Sequence, residues 1–573
     1  MTSESEADTV LQQLLFTTAP SLLAQTTPGQ SAPQVGIGAM AMLVLFIVGS
    51  MWIGALANRA TRSSGFMQGF FLGNRGLGVW ALALTATIQS GGTFMGFPSF
   101  VYSHGWIVAL WIGSYMVVPI TGFGILGKRL AQLSRRTNAI TVPDLFRTRF
   151  NSPALGVACT LFILFYLSFL MFAQFKAGAI VLQLAWPSGN ELSLSEDAGN
   201  IDAYRYHVGL IVFTVTVVAY TLLGGFLAAV WTDLFQSLLM FAGVLILLFA
   251  SLNAAGGLEQ ATLNSLKNTG PGFIYGPGYA QDPTHQFLPV SLAFSMFIVW
   301  IWGGVGAPAG LVRLMASQNT NVIRKSIYVL SLYNLGIYLP LIVICICGRA
   351  LLPNLEKSDQ IIPRLALLTT ADWPGGSVIA GLILAAPFGA VMSTVSSYLV
   401  VLSSGAVRDI YQRFIRPQAS REELRLAARL AMILTGIISV IVMWQPVDYL
   451  QVFIVFSTSG AAATFLVPTI MACYWRRATT PGVLVGMLAG ATTVFTLYLA
   501  GILQLTPDQK IGAVSGFHPW FPFGLDPLIW GLLANTITAI SVSLCTQPPG
   551  HQLVDRLFNR HPSEFNSKSS VSV

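Results

Sequence analysis

Apolar runs of about 20 residues recur from residue 36 to residue 546, with basic loops between them. Each run is long enough to cross a bilayer as one helix. Hydrocarbon offers backbone N–H and C=O groups no partner, so only helices or closed barrels span it, and runs of this length select helices. A chain of 573 residues that is 54% hydrophobic and only 9% charged has little material for separate soluble domains. Thirteen spans are expected, at roughly 36–57, 77–99, 106–127, 154–184, 207–224, 227–251, 289–314, 326–350, 374–404, 424–445, 449–474, 480–503 and 525–546.

An odd number of spans puts the two termini on opposite sides of the membrane. With the N-terminus outside, 23 of the 30 lysines and arginines fall in inner loops and the C-terminal tail. Six lie outside (Arg205, Lys267, Arg349, Lys357, Arg364 and Lys510), and one, Lys176, lies within a span. That bias is the positive-inside pattern, and it supports count and orientation together. The net charge of +8 therefore reports topology rather than nucleic-acid binding. Residues 1–35 read as an extracytoplasmic extension. Their start, MTSESEAD, is acidic and lacks the basic n-region of a signal peptide. Residues 36–546 read as the membrane domain, and 547–573 as a polar, Ser-rich cytoplasmic tail expected to be disordered. The outer loops 185–206, 252–288 and 504–524 read as ordinary loops rather than amphipathic lids. Cys159, Cys345, Cys347, Cys473 and Cys545 all lie in or beside apolar segments, as small buried hydrophobes do.

Within the second span, residues 85–98 read TATIQSGGTFMGFP. Gly91, Gly92, Gly96 and Pro98 are poor helix formers, and Gln89, Ser90 and Thr93 are polar. Two readings stand: a close-packing seam of small residues, or an unwound stretch whose carbonyls face a cavity. The seventh span repeats the interruption as WIWGGVGAPAG, Trp300–Gly310. Spans two to six and seven to eleven (core repeats 77–251 and 289–474) then form two sets of five, each opening on a broken helix. Five is odd, so the second set runs inverted relative to the first. Such paired interruptions point to a transporter site near the membrane midplane.

The ninth span carries many hydroxyls, Ser393, Thr394, Ser396, Ser397, Ser403 and Ser404 among them. Serine and threonine in helices commonly bond the carbonyl one turn back. Ser393 and Thr394, one turn after Ala390, have a second use: facing the broken span, they make a cage of neutral oxygens. Hard cations prefer oxygen ligands, and a cage without carboxylate suits a monovalent ion such as sodium.

The chain resembles the sodium:solute symporter family, and within it most resembles the sodium/pantothenate branch. The motifs that carry the resemblance are GNRGLG before the second span, GILGKRLAQLSRRTNAITVPDLF at Gly124–Phe146 and YTLLGGFLAAVWTDLFQ at Tyr220–Gln236. GLVRLMA, LAAPFGAVMSTVSS, SSGAVRDIY and GFHP follow in order. The resemblance implies an all-α membrane protein of LeuT type, a 5+5 inverted repeat, driven by the inward sodium gradient. It places the sodium ligands on the carbonyls of Ala86, Gln89 and Ala390 and the hydroxyls of Ser393 and Thr394. Proline-carrying relatives have an acid where Ile88 stands, which argues against proline here. Asp233 matches an acid linked in some relatives to a second ion site; the alternative is an acid paired with nearby loop arginines. Trp300 falls where such relatives use a tryptophan near substrate, or else belongs to an interfacial belt. The resemblance puts substrate contacts on the broken helices and the fourth span, making Ser90, Thr93, Gln174 and Lys176 further candidates. A lysine inside a span is costly and marks a functional position by default. Lys176 departs from the pantothenate pattern, and its roles are substrate-carboxylate partner, snorkelling side chain or built-in cation.

No nucleophile elbow, phosphate loop, paired carboxylates or metal-spaced histidines appear, so an enzyme is not expected. The expectation is inner-membrane symport of sodium with a small organic solute, pantothenate or a similar carboxylate, without any cofactor. The alternatives are another solute on the same machine, a membrane sensor, or a sodium-independent carrier.

Overall fold

The computed structural model describes residues 36–60, 71–86, 90–187, 198–275, 289–445, 450–504 and 518–558. Among these residues it is entirely helical, apart from one isolated bridge between Leu77 and Ser317. The first helix, α1 (Ile37–Ala60), is followed by α2 (Val79–Ala86) and α3 (Phe97–His104), the two halves of a broken span. The third expected span begins as α4 (Leu110–Val118) and widens into a π-helix over Pro119–Gly127 before α5 (Lys128–Thr137). A short α6 (Val142–Phe150) leads to α7 (Pro153–Ala185), which starts where Ser152 caps the Leu155 N–H and Pro153 takes the first helical position.

The helical segment α8 (Ala198–Ala254) holds two spans, Ile201–Leu222 and Ala229–Ala254, close to those expected at 207–224 and 227–251. A surface helix, α9 (Leu258–Thr269), occupies part of the outer loop 252–288 that reads as plain loop in sequence. Its Ser265 hydroxyl anchors it by donating to the Ile346 carbonyl at 3.0 Å. The second broken span is α10 (Val290–Gly306) and α11 (Pro308–Met315), bent by 45° at Ala307. Beyond it come α12 (Thr320–Leu351), a short helix α13 (Ile361–Thr370), and α14 (Gly376–Ser404), which runs on as a π-helix to Ile415. The bundle closes with α15 (Arg421–Val442), α16 (Leu450–Tyr474), α17 (Thr480–Leu503) and α18 (Pro527–Cys545). A capping box between Ser420 and Glu423 starts α15. The polar tail opens with a further helix, α19 (His551–Phe558), whose Leu557 carbonyl accepts from Arg136. That stretch is ordered against the expectation; residues 559–573, like 1–35, lie outside the described residues.

Ten of the described helices are long and apolar enough to cross a membrane, or up to twelve if each bent pair is one span. The number falls short of thirteen at residues 77–99. There only the eight residues of α2 precede the break, and 87–89 lie outside the described residues. The centre is formed by α14 and α16, which are buried almost throughout, while α1, α15 and α18 present large apolar side chains outward. Four cysteines are buried and Cys545 is exposed.

Candidate functional site

At the first break, α2 is described as far as Ala86, Ser90 is non-helical, and the chain continues as a π-turn over Gly92–Gly96. Side chains satisfy the freed backbone, as a membrane interior demands. The Gly91 N–H donates to Gln174 Oε1 of α7 at 2.7 Å, and the Gly92 N–H to Ser90 Oγ at 3.1 Å. The Ser90 N–H in turn donates to Thr93 Oγ1 at 3.3 Å, and that hydroxyl lies 3.1 Å from Tyr338 Oη. Three substrate candidates, Ser90, Thr93 and Gln174, are thus engaged in propping the break. Glycine is required at 91 because a Cβ there would stand 2.9 Å from the Ala177 Cβ.

The second break also depends on bare backbone. A Cβ on Gly306 would lie 2.8 Å from the Ala462 Cα of α16. Trp300, on α10, is 8% exposed and so is not an interfacial belt residue. Its ring stacks on Tyr115 at 5.8 Å, and Tyr115 stacks on Tyr338 at 3.9 Å. This aromatic column leads from the second break to Thr93 in the first.

On α14, Ser393 Oγ and Thr394 Oγ1 both donate to the Ala390 carbonyl, at 3.0 and 2.8 Å. That is the back-bonding typical of such residues. A Cβ on Gly91 would lie 3.5 Å from the Val391 Cγ2, so this turn of α14 sits beside the first break. Ala86 is the last described residue before that break, whereas Gln89 and Ile88 lie outside the described residues.

Two buried ion pairs flank this centre. Arg313 of α11 is 2% exposed and donates to Asp233 Oδ2 of α8 at 2.7 Å, to the Ser397 hydroxyl and to the Thr85 carbonyl. The partner of Asp233 is therefore an arginine within a broken span, not one in a loop. Lys176 Nζ of α7 lies 3.4 Å from Asp359 Oδ2, in the turn before α13. The Leu450 N–H of α16 donates to the same oxygen at 3.2 Å. Burial pushes the Asp359 carboxyl above the usual carboxylate range, and Lys176 pulls it back. The nearby Ser99 and Ser358 hydroxyls meet at 2.5 Å, tying the turn before α13 to α3. The start of the first broken span and the end of the second are joined too. The Leu77 N–H donates to the Ala316 carbonyl and the Gln318 N–H to the Leu77 carbonyl, both at 3.2 Å.

Sequence reading missed Arg313, Asp359 and Tyr338 as parts of the site. Arg313 stands inside an apolar run, GLVRLMA, and the cost of a charge there was the available signal. Asp359 sits in a loop, and nothing local distinguishes it.

A helical membrane bundle whose two broken spans meet at its centre has the architecture of a secondary transporter. Residues 70–490 match the sodium:solute symporter family, and the chain belongs to that family. It is 30% identical over 501 residues to the sodium/pantothenate symporter of Haemophilus influenzae, covering 84% of this chain and 96% of that one. It is 26% identical over 518 residues to the high-affinity proline transporter of Bacillus subtilis, covering 88% and 97%. The fold is shared with a sodium-coupled sialic acid symporter solved in a substrate-bound outward-open state. The TM-score is 0.66 at 18% identity, over 90% of this chain and 98% of the other.

Proposed function

We propose that this symporter carries pantothenate, or a closely similar small carboxylate, into the cell together with sodium. Sodium binds the carbonyls of Ala86, Gln89 and Ala390 and the hydroxyls of Ser393 and Thr394. The observation that carries this reading is the convergence of both hydroxyls on the Ala390 carbonyl, in the turn beside the break at Gly91. The chain's 30% identity to a sodium/pantothenate symporter over nearly that protein's whole length supports the substrate. The N-terminus lies outside and the C-terminus in the cytoplasm, on the distribution of lysine and arginine.

An ion bridging α2 and α14 favours the outward-open state only through its different affinity for the two states. Solute then closes the outer path at Asp359, and loss of sodium to a low-sodium cytoplasm frees the inner contacts at Leu77 and Ala316. The pairing with Arg313 supports reading Asp233 as a structural acid rather than a ligand of a second ion. The pairing of Lys176 with Asp359 supports an outer-gate role, ahead of substrate contact or a built-in replacement for sodium. Ser90, Thr93, Gln174 and Trp300 shape the solute site by holding the two breaks in place.

A hydrogen-bond-strength contact to a charged group is worth about 1.5–3 kcal/mol. Thr394→Ala is therefore expected to raise the sodium concentration for half-maximal uptake by about 10- to 100-fold, with little change in expression. Uptake at low sodium equal to that of wild type would overturn the site.

A further inference from the structure

The last described turn of α2, residues 83–86, is held by side chains of two other elements. Ser237 Oγ of α8 donates to the Leu84 carbonyl at 3.2 Å, and Arg313 of α11 donates to the Thr85 carbonyl. Ser237 is 1% exposed, and its own backbone carbonyl accepts from Tyr333 Oη of α12 at 3.1 Å. A serine within a helix commonly bonds the carbonyl one turn back. Ser237 makes that bond, to the Asp233 carbonyl at 2.7 Å, and reaches across to α2 as well. On the donor side of the break, a continuous helix would give the Ser90 N–H to the Ala86 carbonyl. It goes to Thr93 Oγ1 instead. Ser237 and Arg313 thus take the two carbonyls before Ala86, and Thr93 takes the N–H that would have covered the third.

The preceding residue of α8 meets the other half of the cage. A Cβ on Gly389, the residue before Ala390, would lie 3.4 Å from the Gln236 Cβ. Consecutive residues of α8 therefore touch α2 just before Ala86 and α14 just before Ala390. We propose that Ser237 is a positioning residue for the coupling ion, setting where the Ala86 carbonyl points and how far it lies from the Ala390 turn. The assignment rests on the reading that sodium binds at Ala86 and Ala390, and it deepens that reading. Peptide units are planar, so fixing the Leu84 and Thr85 carbonyls leaves the next peptide little freedom to turn. Groups that hold an ion's ligands in place tune its affinity. Discrimination between cations of equal charge depends on the size and rigidity of the cage. Removing the Ser237 hydroxyl loosens one wall of the cage without removing a ligand. Sodium then binds more weakly, and the smaller lithium ion is rejected less sharply. Tyr333 belongs to the same arrangement, because its hydroxyl ties the Ser237 peptide to α12.

The test is binding of radiolabelled sodium to the purified full-length protein in detergent, with unlabelled sodium and lithium as competitors. In Ser237→Ala the sodium Kd is expected to rise about three- to tenfold, as loss of one neutral hydrogen bond allows. The ratio of the lithium Kd to the sodium Kd is expected to fall by at least about twofold. Tyr333→Phe, which keeps the ring, should move both quantities in the same direction, by about twofold. A packing defect alone would lower the number of active sites and leave the ratio unchanged, so the ratio is the deciding readout. Thr394→Ala serves as the reference for the cage itself. If that variant binds sodium more weakly, then a wild-type sodium Kd in Ser237→Ala, or a raised Kd with the lithium-to-sodium ratio intact, would overturn the role of Ser237 alone. A wild-type sodium Kd in Thr394→Ala would overturn the cage, and this assignment with it.

Discussion

Replacing Arg313 with alanine is expected to destabilise the protein by about 3–5 kcal/mol and to abolish transport, because it leaves a carboxylate alone in the core of the bundle. The guanidinium and the Asp233 carboxylate are each only 3% exposed. Arg313 also donates to the Thr85 carbonyl, at the inner side of the first break, and to the Ser397 hydroxyl on α14. One side chain therefore fastens α2, α8, α11 and α14 together beside the proposed sodium site. Removing both charges should be less harmful than removing one, since buried pairs replaced by apolar residues of similar size often lose little stability. Arg313→Met with Asp233→Leu is accordingly expected to recover most of the thermal stability in detergent. Transport should stay impaired in that double variant, because the anchor on Thr85 is gone. Arg313→Ala with a wild-type melting temperature would contradict this account of the pair.

The second large effect is expected at the pair of Lys176 with Asp359. Asp359→Ala removes the carboxylate that the buried Lys176 ammonium approaches and frees the N-terminus of α16 from the turn before α13. Breaking such a pair costs about 3–5 kcal/mol, here charged against the state in which the outer path is shut. The variant is expected to stay outward-open, binding sodium but turning over at a few per cent of the wild-type rate or less. Two roles for Lys176 are separated by the double variant. If Lys176 exists to hold Asp359, then Lys176→Ala with Asp359→Ala transports better than Asp359→Ala alone, because no charge is left unpaired. If Lys176 binds the solute carboxylate, the double variant is no better than Lys176→Ala and its KM for solute is raised. Uptake rates and KM values for the four proteins decide between them.

The local chemistry of the chain made much of this architecture legible in advance. Glycine and proline inside apolar runs marked both breaks, at 85–98 and 300–310, since few other features force a membrane helix to unwind. The serine and threonine one turn after Ala390 lie on its side of α14, where both hydroxyls bond its carbonyl. Apolar length placed nearly every span within a few residues. What stayed hidden depends on contacts between distant parts of the chain. Lys176 in α7 reads as a lone charge until the turn carrying Asp359 folds back over it. Asp233 is assigned to loop arginines until α11 brings Arg313 alongside. Gln174 looks like a substrate ligand, and only the neighbouring Gly91 N–H shows what it holds. The helix at Leu258–Thr269 was missed because a short amphipathic surface helix has the composition of a loop.

The central claim is sodium-coupled uptake of pantothenate through the cage at Ala86, Gln89, Ala390, Ser393 and Thr394. The most direct measurement is radiolabelled pantothenate uptake into proteoliposomes with and without an inward sodium gradient. The account predicts uptake that requires the gradient and is competed by pantothenate but not by proline or simple monocarboxylates. Pantothenate uptake that proceeds equally without sodium would contradict it.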